Sequence, residues 1–452
     1  MRIERILLKD VGPFDDVTIP LEEGKNPDLA DVYLLTGQNG SGKSTALYAV
    51  AGVIGCGILG ADLGSKRLRS SDSVAALEFD GYRRATAWSM VETKHRSTIP
   101  DPFSSGLLNE QHSYGPLVSY YQSSGGDHAI RQYFQLAHQF RVDFPPSARP
   151  KFSWVAFAYA GMRSVDDARV NAIQELNNNP FENSLSFIHT ANTGLLAQWI
   201  ANQYFKRLRA KDAGHTSRAE QLSQSIRDIE RVVTEIIGED FAFVMSEDDL
   251  NVRARRNGVI VDLELLPDGL KSIVSWIADL LMRLDRIPWI DDTPPMQRPF
   301  LLLLDEVDIH LHPAWQRKVL PIVQRMFPKA QIIASTHSPF VVASAEDAQI
   351  ITLKVENGVS KVEDIVGSQS GASYSSVLRS IFGIESEFSV ETEREFAAFH
   401  KAKQELLVGT TTDITKVEER AGILAQRSEE VRELVAIELR QLKRQLAQRS
   451  KQ

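Results

Sequence analysis

The stretch VYLLTGQNGSGKSTALYAVAGVI, Val32–Ile54, decides the fold. Val32–Leu35 are apolar and read as a buried strand, GQNGSGKS (Gly37–Ser44) is a glycine-rich loop, and Thr45 opens a helical pattern. Strand, loop and helix in that order let consecutive backbone N–H groups converge on phosphate oxygens at the positive end of a helix. Gly37, Gln38, Asn39, Gly40, Ser41, Gly42, Lys43, Ser44 and Thr45 are therefore the candidate phosphate cradle. Within it Lys43 would bridge the β- and γ-phosphates and Ser44 would ligate Mg²⁺.

A second stretch, FLLLLDEVD (Phe300–Asp308), completes the chemistry that such a loop needs. Four leucines read as a fully buried strand whose carboxylates emerge at its C-terminal end, where open α/β sheets bind ligands. Asp305 would hold Mg²⁺, directly or through water, and Glu306 would polarise the attacking water. QIIASTHS (Gln331–Ser338) is another buried strand and places His337 just beyond it, within reach of a terminal phosphate oxygen. His310 and His312, two apart in DIHLHP, have poor spacing for a helical metal site and lack a third ligand in the sequence.

ELLPDGLKSIVSWIADLL (Glu264–Leu281) poses a question of its own. Ile273, Ile277, Leu280, Leu281 and Leu284 recur at the period of one buried helix face. Asp268 is a good N-cap and would place Lys271 in the first turn, where the helix dipole repels a cation. An anion docked at that helix end would explain the lysine.

The rest of the chain bounds the reading. At 452 residues, 43% hydrophobic and 24% charged, it is long enough for a large core. No apolar run approaches the length needed to cross a bilayer. The single cysteine, Cys56, excludes an intrachain disulfide framework and fits a reducing cytoplasm. A net charge of −8 removes global attraction to nucleic acid, so any such contact needs a local patch. KRLR (66–69), KRLRAK (206–211) and RARR (253–256) are the candidates, each also readable as a solvated face.

The N-terminus alternates as a hairpin turning near Gly12 and Pro13, and residues 74–92 read as a second hairpin with Asp80-Gly81 at its turn. Residues 96–127 read as a loop-dominated insertion. Residues 184–237 are helical, broken near Gly214, and two short strands follow between Asp249 and Leu266. Two further strands begin at Asp347 and Val359. In the polar helical tail, Val431, Val435, Leu439, Leu442 and Leu446 form a stripe suited to a partner helix.

The order of these motifs resembles ABC-type ATPases of the RecF, SMC and OLD-like branch, over about residues 1–385. It is similar in particular to the stand-alone ATP-binding proteins of bacterial anti-phage systems such as Septu, retron-linked Septu and PARIS. The resemblance implies an α/β fold: an ABC-type P-loop ATPase head, a mixed sheet with an antiparallel lobe, carrying a short helical hairpin insertion and a helical C-terminal tail. Its parts would be 1–183 (P-loop lobe), 184–240 (helical insertion), 241–383 (signature, Walker B and switch histidine) and 384–452 (tail). It also implies ATP and Mg²⁺ as cofactors, and catalytic roles for Lys43, Glu306 and His337. A homodimer, or an oligomer built from dimers, would clasp ATP between copies. Leu266–Lys271 (LPDGLK) stands at the family's signature motif, so Asp268, Gly269 and Lys271 would face the γ-phosphate held by the other copy.

Two positions depart from the family pattern. Pro267 replaces a serine that would contact phosphate, a loss of about 1.5–3 kcal/mol that implies slow or partner-stimulated hydrolysis. His312 stands where many ABC proteins carry an aspartate. No acidic cluster of a Toprim domain follows His337, so nuclease action would belong to a partner of HNH or Toprim type. A DNA-repair ATPase of RecF type and a non-hydrolysing scaffold are the alternatives.

Overall fold

In the computed structural model the described residues are 2–55, 67, 69, 73–79, 82–88, 110–114, 117–122, 133, 137, 140, 144–161, 169–187, 193–245, 249–384, 388–410 and 413–449. They divide into two compact units, Met1–Val377 and Leu378–Gln452.

The first unit opens with β1 (Ile3–Val11) and β2 (Phe14–Pro20), paired antiparallel as the alternation requires. β3 (Asp31–Gly37) runs into the glycine-rich loop and α1 (Lys43–Ile54). β4 (Val74–Phe79) and β5 (Tyr82–Trp88) form the expected second hairpin; its turn, Asp80-Gly81, lies outside the described residues. β6 (Glu110–Tyr114) and β7 (Leu117–Gln122) correct the loop-dominated reading of 96–127, since both are strands, while 96–109 and 123–127 lie outside the described residues. β7 carries the strand formers Val118, Tyr120 and Tyr121 and pairs with β5, and β6, polar in sequence, is held by its backbone pairing with β7. The antiparallel sheet has the order β2-β1-β4-β5-β7-β6.

β8 (Val155–Tyr159) precedes the helical hairpin of α2 (Thr193–Asp212) and α3 (Thr216–Ile237). Three strands follow, not two: β9 (Phe241–Met245), β10 (Val252–Arg256) and β11 (Val259–Asp262), in the order β11-β10-β9. α4 (Asp268–Arg286) is next, and then β12 (Phe300–Leu304), α5 (Pro313–Met326) and β13 (Gln331–Ser335). β14 (Ala348–Glu356) and β15 (Val359–Val366) pair antiparallel.

The mixed sheet, β15-β14-β3-β13-β12-β8, is parallel from β14 to β8. Every residue of β8, β12 and β13 is buried, the signature of strands covered on both faces. Because these strands run the same way, Gly37, Asp305 and Thr336 all leave the sheet at one edge. The two larger sheets are stitched by Gln331, whose side-chain amide accepts from Ile3 N and donates to Ile3 O, both at 2.8 Å.

α4 is pinned by a buried network. Arg283 donates to Asp279 at 2.6 Å and to the carbonyls of Pro180 and Glu182, and the Tyr159 hydroxyl donates to Asp279 at 2.8 Å. The helix begins one residue earlier than the sequence implied: Pro267 occupies the N-cap and Asp268 is the first helical residue. Proline's fixed φ suits a helix entrance and displaces the aspartate inward.

The second unit packs α6 (Val390–Val408), α7 (Thr415–Ala425) and α8 (Glu429–Arg449). Val431, Val435 and Leu442 of the stripe are buried against Phe399, Val417 and Leu424, with Leu439 and Leu446 packed at the edge. The stripe's partner helices are thus this chain's own, a short-range solution to the same apolar face.

Candidate functional site

At the shared edge of the mixed sheet the glycine-rich loop presents Gln38, Asn39 and Gly40 to solvent, while Ser41, Lys43 and Thr45 are buried. The Lys43 ammonium donates to the carbonyls of Gly37 and Gln38, both at 2.9 Å, and lies 3.4 Å from Ser41 Oγ. It therefore sits inside the loop's own ring of oxygens. Burial pulls its pKa below the ordinary lysine range, opposed by the fields of Asp305, Glu306 and Asp308.

Ser44 Oγ donates to Asp305 Oδ1 at 2.9 Å, and Ser335 Oγ donates to the same oxygen at 2.5 Å. The hydroxyl and carboxylate that the sequence assigns to a divalent cation are thus adjacent, a hard-oxygen pair suited to Mg²⁺. Glu306 follows with its backbone N–H donated to Ser335 Oγ at 2.7 Å. Burial first, then Asp305 and Asp308, raises its carboxyl above the ordinary glutamate range. That favours proton acceptance near neutral pH.

His337 is exposed at the same edge, its backbone N–H 3.3 Å from Asp308 Oδ1, which also accepts from Thr336 Oγ1 at 2.6 Å. Partial desolvation of its ring and then the Lys43 charge pull its pKa below the ordinary histidine value, against the fields of Asp308 and Asp305, which favours the neutral imidazole. His312 acts elsewhere, as a helix cap. Its Nδ1 accepts from Ala314 N at 3.2 Å at the start of α5.

Lys43, Ser44, Asp305, Glu306 and His337 are therefore brought together. Asp268, Gly269 and Lys271 stand at the start of α4 in other company. A Cβ on Gly269 would lie 2.5 Å from the His310 carbonyl oxygen and 3.3 Å from the Trp315 ring, so only glycine allows this approach. Lys271 pairs with Asp268 at 3.5 Å, and that acid in the first turn offsets part of the dipole repulsion.

Sequence reading missed four residues of this edge. Ser335, Thr336 and Asp308 orient the two carboxylates and His337, yet each is a common residue in its motif. Gln316 is the fourth. Its amide donates to the carbonyls of Asp308 and Leu311 at 3.1 and 3.0 Å and accepts from Ser338 Oγ at 2.7 Å. It clamps the loop after Glu306 to the segment carrying His337; its position on an amphipathic helix gave no signal beyond polarity.

Fold and edge together define an α/β protein of the P-loop class. The chain belongs to the family described as "AAA domain, putative AbiEii toxin, Type IV TA system", whose model matches residues 109–343, just over half of its length. A second model, "AAA domain", matches residues 1–55, which include the glycine-rich loop. Septu protein PtuA of Bacillus thuringiensis is 29% identical over 170 residues, covering 36% of this chain and 43% of that protein. Retron Ec83 probable ATPase of Escherichia coli is 33% identical over 105 residues, covering 23% of this chain and 19% of that protein. The chain thus matches less than half the length of either of these curated relatives. Among solved structures, the SMC head domain from Thermotoga maritima overlays with a TM-score of 0.40 at 17% identity, covering 81% of this chain and 99% of that one. No helix among the described residues is long and apolar enough to cross a membrane.

Proposed function

We propose that the chain is an ATP-binding and ATP-hydrolysing switch that pairs around nucleotide and controls a partner effector in antiviral defence. The observation that carries this reading is the Ser44–Asp305 contact of 2.9 Å at the root of the glycine-rich loop, with Glu306 adjacent. Ser44 and Asp305 would hold Mg²⁺, which would supply positive charge to offset that of the phosphates. Lys43 exchanges the carbonyls of Gly37 and Gln38 for phosphate oxygens. Glu306 accepts the proton of the attacking water, and neutral His337 donates to the γ-phosphate. Septu and retron names among the relatives support a defence role, and a nuclease of HNH or Toprim type is the proposed effector.

In this reading Asp268, Gly269 and Lys271 of one copy complete the site of the other. Support comes from Lys271, whose described partner is its own helix's Asp268, about three-quarters exposed and readily outcompeted by a phosphate. Lys271→Glu is expected to leave ATP binding by the single chain intact. It should abolish the mass doubling on ATP addition and lower phosphate release on the order of tenfold, the worth of one charge-assisted contact. Undiminished hydrolysis by a solitary copy, measured by mass photometry alongside phosphate release, would remove the paired arrangement.

A RecF-like role on DNA draws less support. Arg253 pairs with Asp249 and Asp262, Arg256 with Glu239, and Arg255 lies 3.7 Å from Asp240, so the RARR cluster is neutralised by its own neighbours.

Gln316 supplies a further prediction. Gln316→Met keeps the side chain's length and removes three hydrogen bonds, each worth about 1 kcal/mol net. Because it positions the loop after Glu306 and does not touch nucleotide, kcat is expected to fall about tenfold with KM for ATP unchanged. A parallel loss in KM would assign it to binding instead.

A further inference from the structure

Two basic clusters that lie wholly among the described residues have different fates. RARR is ion-paired internally, whereas KRLRAK lies on α2 beside a cavity of about 550 Å³ in the first unit. Trp199, Lys206 and Arg209 recur at helical spacing on one face of α2 and line this cavity together with Phe205. Arg207, between them in sequence, instead stacks over the Tyr204 ring at 5.0 Å. The helix thus sorts its cations, and Lys206 and Arg209 go to the cavity.

Opposite them stand Asp285 and Arg286, from the end of α4. Arg286 Nη2 donates to Asn178 O at 2.7 Å, Asn178 Oδ1 at 2.9 Å and Leu176 O at 3.3 Å. These are neutral acceptors. Burial and the neighbouring Arg283 charge pull this guanidinium down to about 10, far below its ordinary range. The carboxylates of Asp279 and Asp285 oppose that fall, and an anion in the cavity would add its field to theirs. Asp285 is held by Gln203 at 3.1 Å and Ser225 at 3.2 Å, and supplies an acceptor in the same space.

We infer that this cavity is a second ligand site, separate from the glycine-rich loop, for a 5′-phosphorylated nucleotide, either free or at the end of a strand. The volume falls within the range of small-ligand sites. Lys206 and Arg209 at the rim meet the phosphate, and Arg286 adds its field from below. Phe205, an exposed ring, supplies apolar surface for the base, and the buried Trp199 backs the wall behind it. Asp285 accepts from a base amino group or a ribose hydroxyl. A simple inorganic anion would leave the aromatic surface and the acceptor unused. This inference goes beyond the ATP reading and does not rest on it.

The test is calorimetric titration of the full chain with AMP, with a 5′-phosphorylated tetra-adenylate and with adenosine. Three proteins are compared: the unaltered chain, Lys206→Glu/Arg209→Glu, and Lys43→Ala. Both rim residues are exposed, so the double variant is expected to keep its melting temperature and its ATP binding. The phosphorylated probes should bind the unaltered chain and Lys43→Ala alike, and at least tenfold more weakly to the double variant, with adenosine weak throughout. Equal affinity for AMP and the tetranucleotide identifies a free nucleotide, and tighter tetranucleotide binding identifies a strand end. Absence of binding to the unaltered chain, adenosine binding as tight as AMP, or binding lost with Lys43→Ala and kept by the double variant would overturn the site.

Discussion

Glu306→Gln is expected to bind ATP and almost cease to split it. The substitution keeps the side chain's size, and the Glu306 backbone is fixed independently by its N–H bond to Ser335 Oγ at 2.7 Å, so the loop should hold its shape. What is lost is the proton acceptor. A positioned general base contributes on the order of 10²–10⁴-fold, or about 3–5 kcal/mol of barrier. Phosphate release should fall by that factor while ATP affinity stays within a few-fold, and the paired, nucleotide-filled form should accumulate and be visible by mass. The pH profile gives an independent check. Because burial, Asp305 and Asp308 raise the Glu306 pKa, the carboxylate is protonated at a higher pH than an ordinary glutamate. Activity should therefore be lost on acidification before a free glutamate would titrate, and the residual rate of the variant should lack that limb. Full turnover by Glu306→Gln would sink the assigned role.

The reach of this site into the sequence is uneven, for physical reasons. Val32–Ile54 was legible because a glycine-rich loop between a buried strand and a helix has few other uses, and Phe300–Leu304 because a short apolar run ending in Asp-Glu, on a chain with that loop, fits a strand covered on both faces. Strand preference is weaker evidence where packing is absent from the pattern. EQHSY (Glu110–Tyr114) shows no apolar alternation, LVSYYQ (Leu117–Gln122) is a short run inside a stretch rich in Ser, Gly and Pro, and the strand FAFVM (Phe241–Met245) abuts the helix before it with only Gly238 between Ile237 and the acids that follow. Buried polar residues were hardest to see. Asp279 and Arg283, four apart on a helix, carry no mark of burial in the sequence, yet their side chains are 1% and 6% exposed and tie α4 to β8 through Tyr159. The tail's stripe showed that a partner helix was needed but not which one, since periodicity describes a face and not what covers it. The same blindness hid Gln316, whose importance lies in the carbonyls it happens to reach.

Gly37→Ala should be the most damaging single change outside the catalytic carboxylate, acting on stability and binding together. Gly37 ends β3 opposite Leu353 of β14, and a Cβ there would stand 2.1 Å from the Leu353 carbonyl oxygen. That contact is with backbone, so it cannot be relieved by a rotamer; the two strands must part. Gly37 also holds φ +135, a conformation costing an alanine about 1–3 kcal/mol before any clash. Its carbonyl is one of the two that hold Lys43, so parting the strands displaces the residue meant for the phosphates. Gly40→Ala is the matched comparison: φ +81, with no heavy atom within 4 Å of an added Cβ. It should cost only the backbone strain of about 1–2 kcal/mol. Thermal unfolding should place Gly37→Ala several degrees below Gly40→Ala, with ATP affinity down more than tenfold in the first and nearer the unaltered value in the second. Equal melting temperatures would mean that β3 and β14 do not pair tightly at Gly37, and the loop's anchorage to the sheet would have to be placed elsewhere.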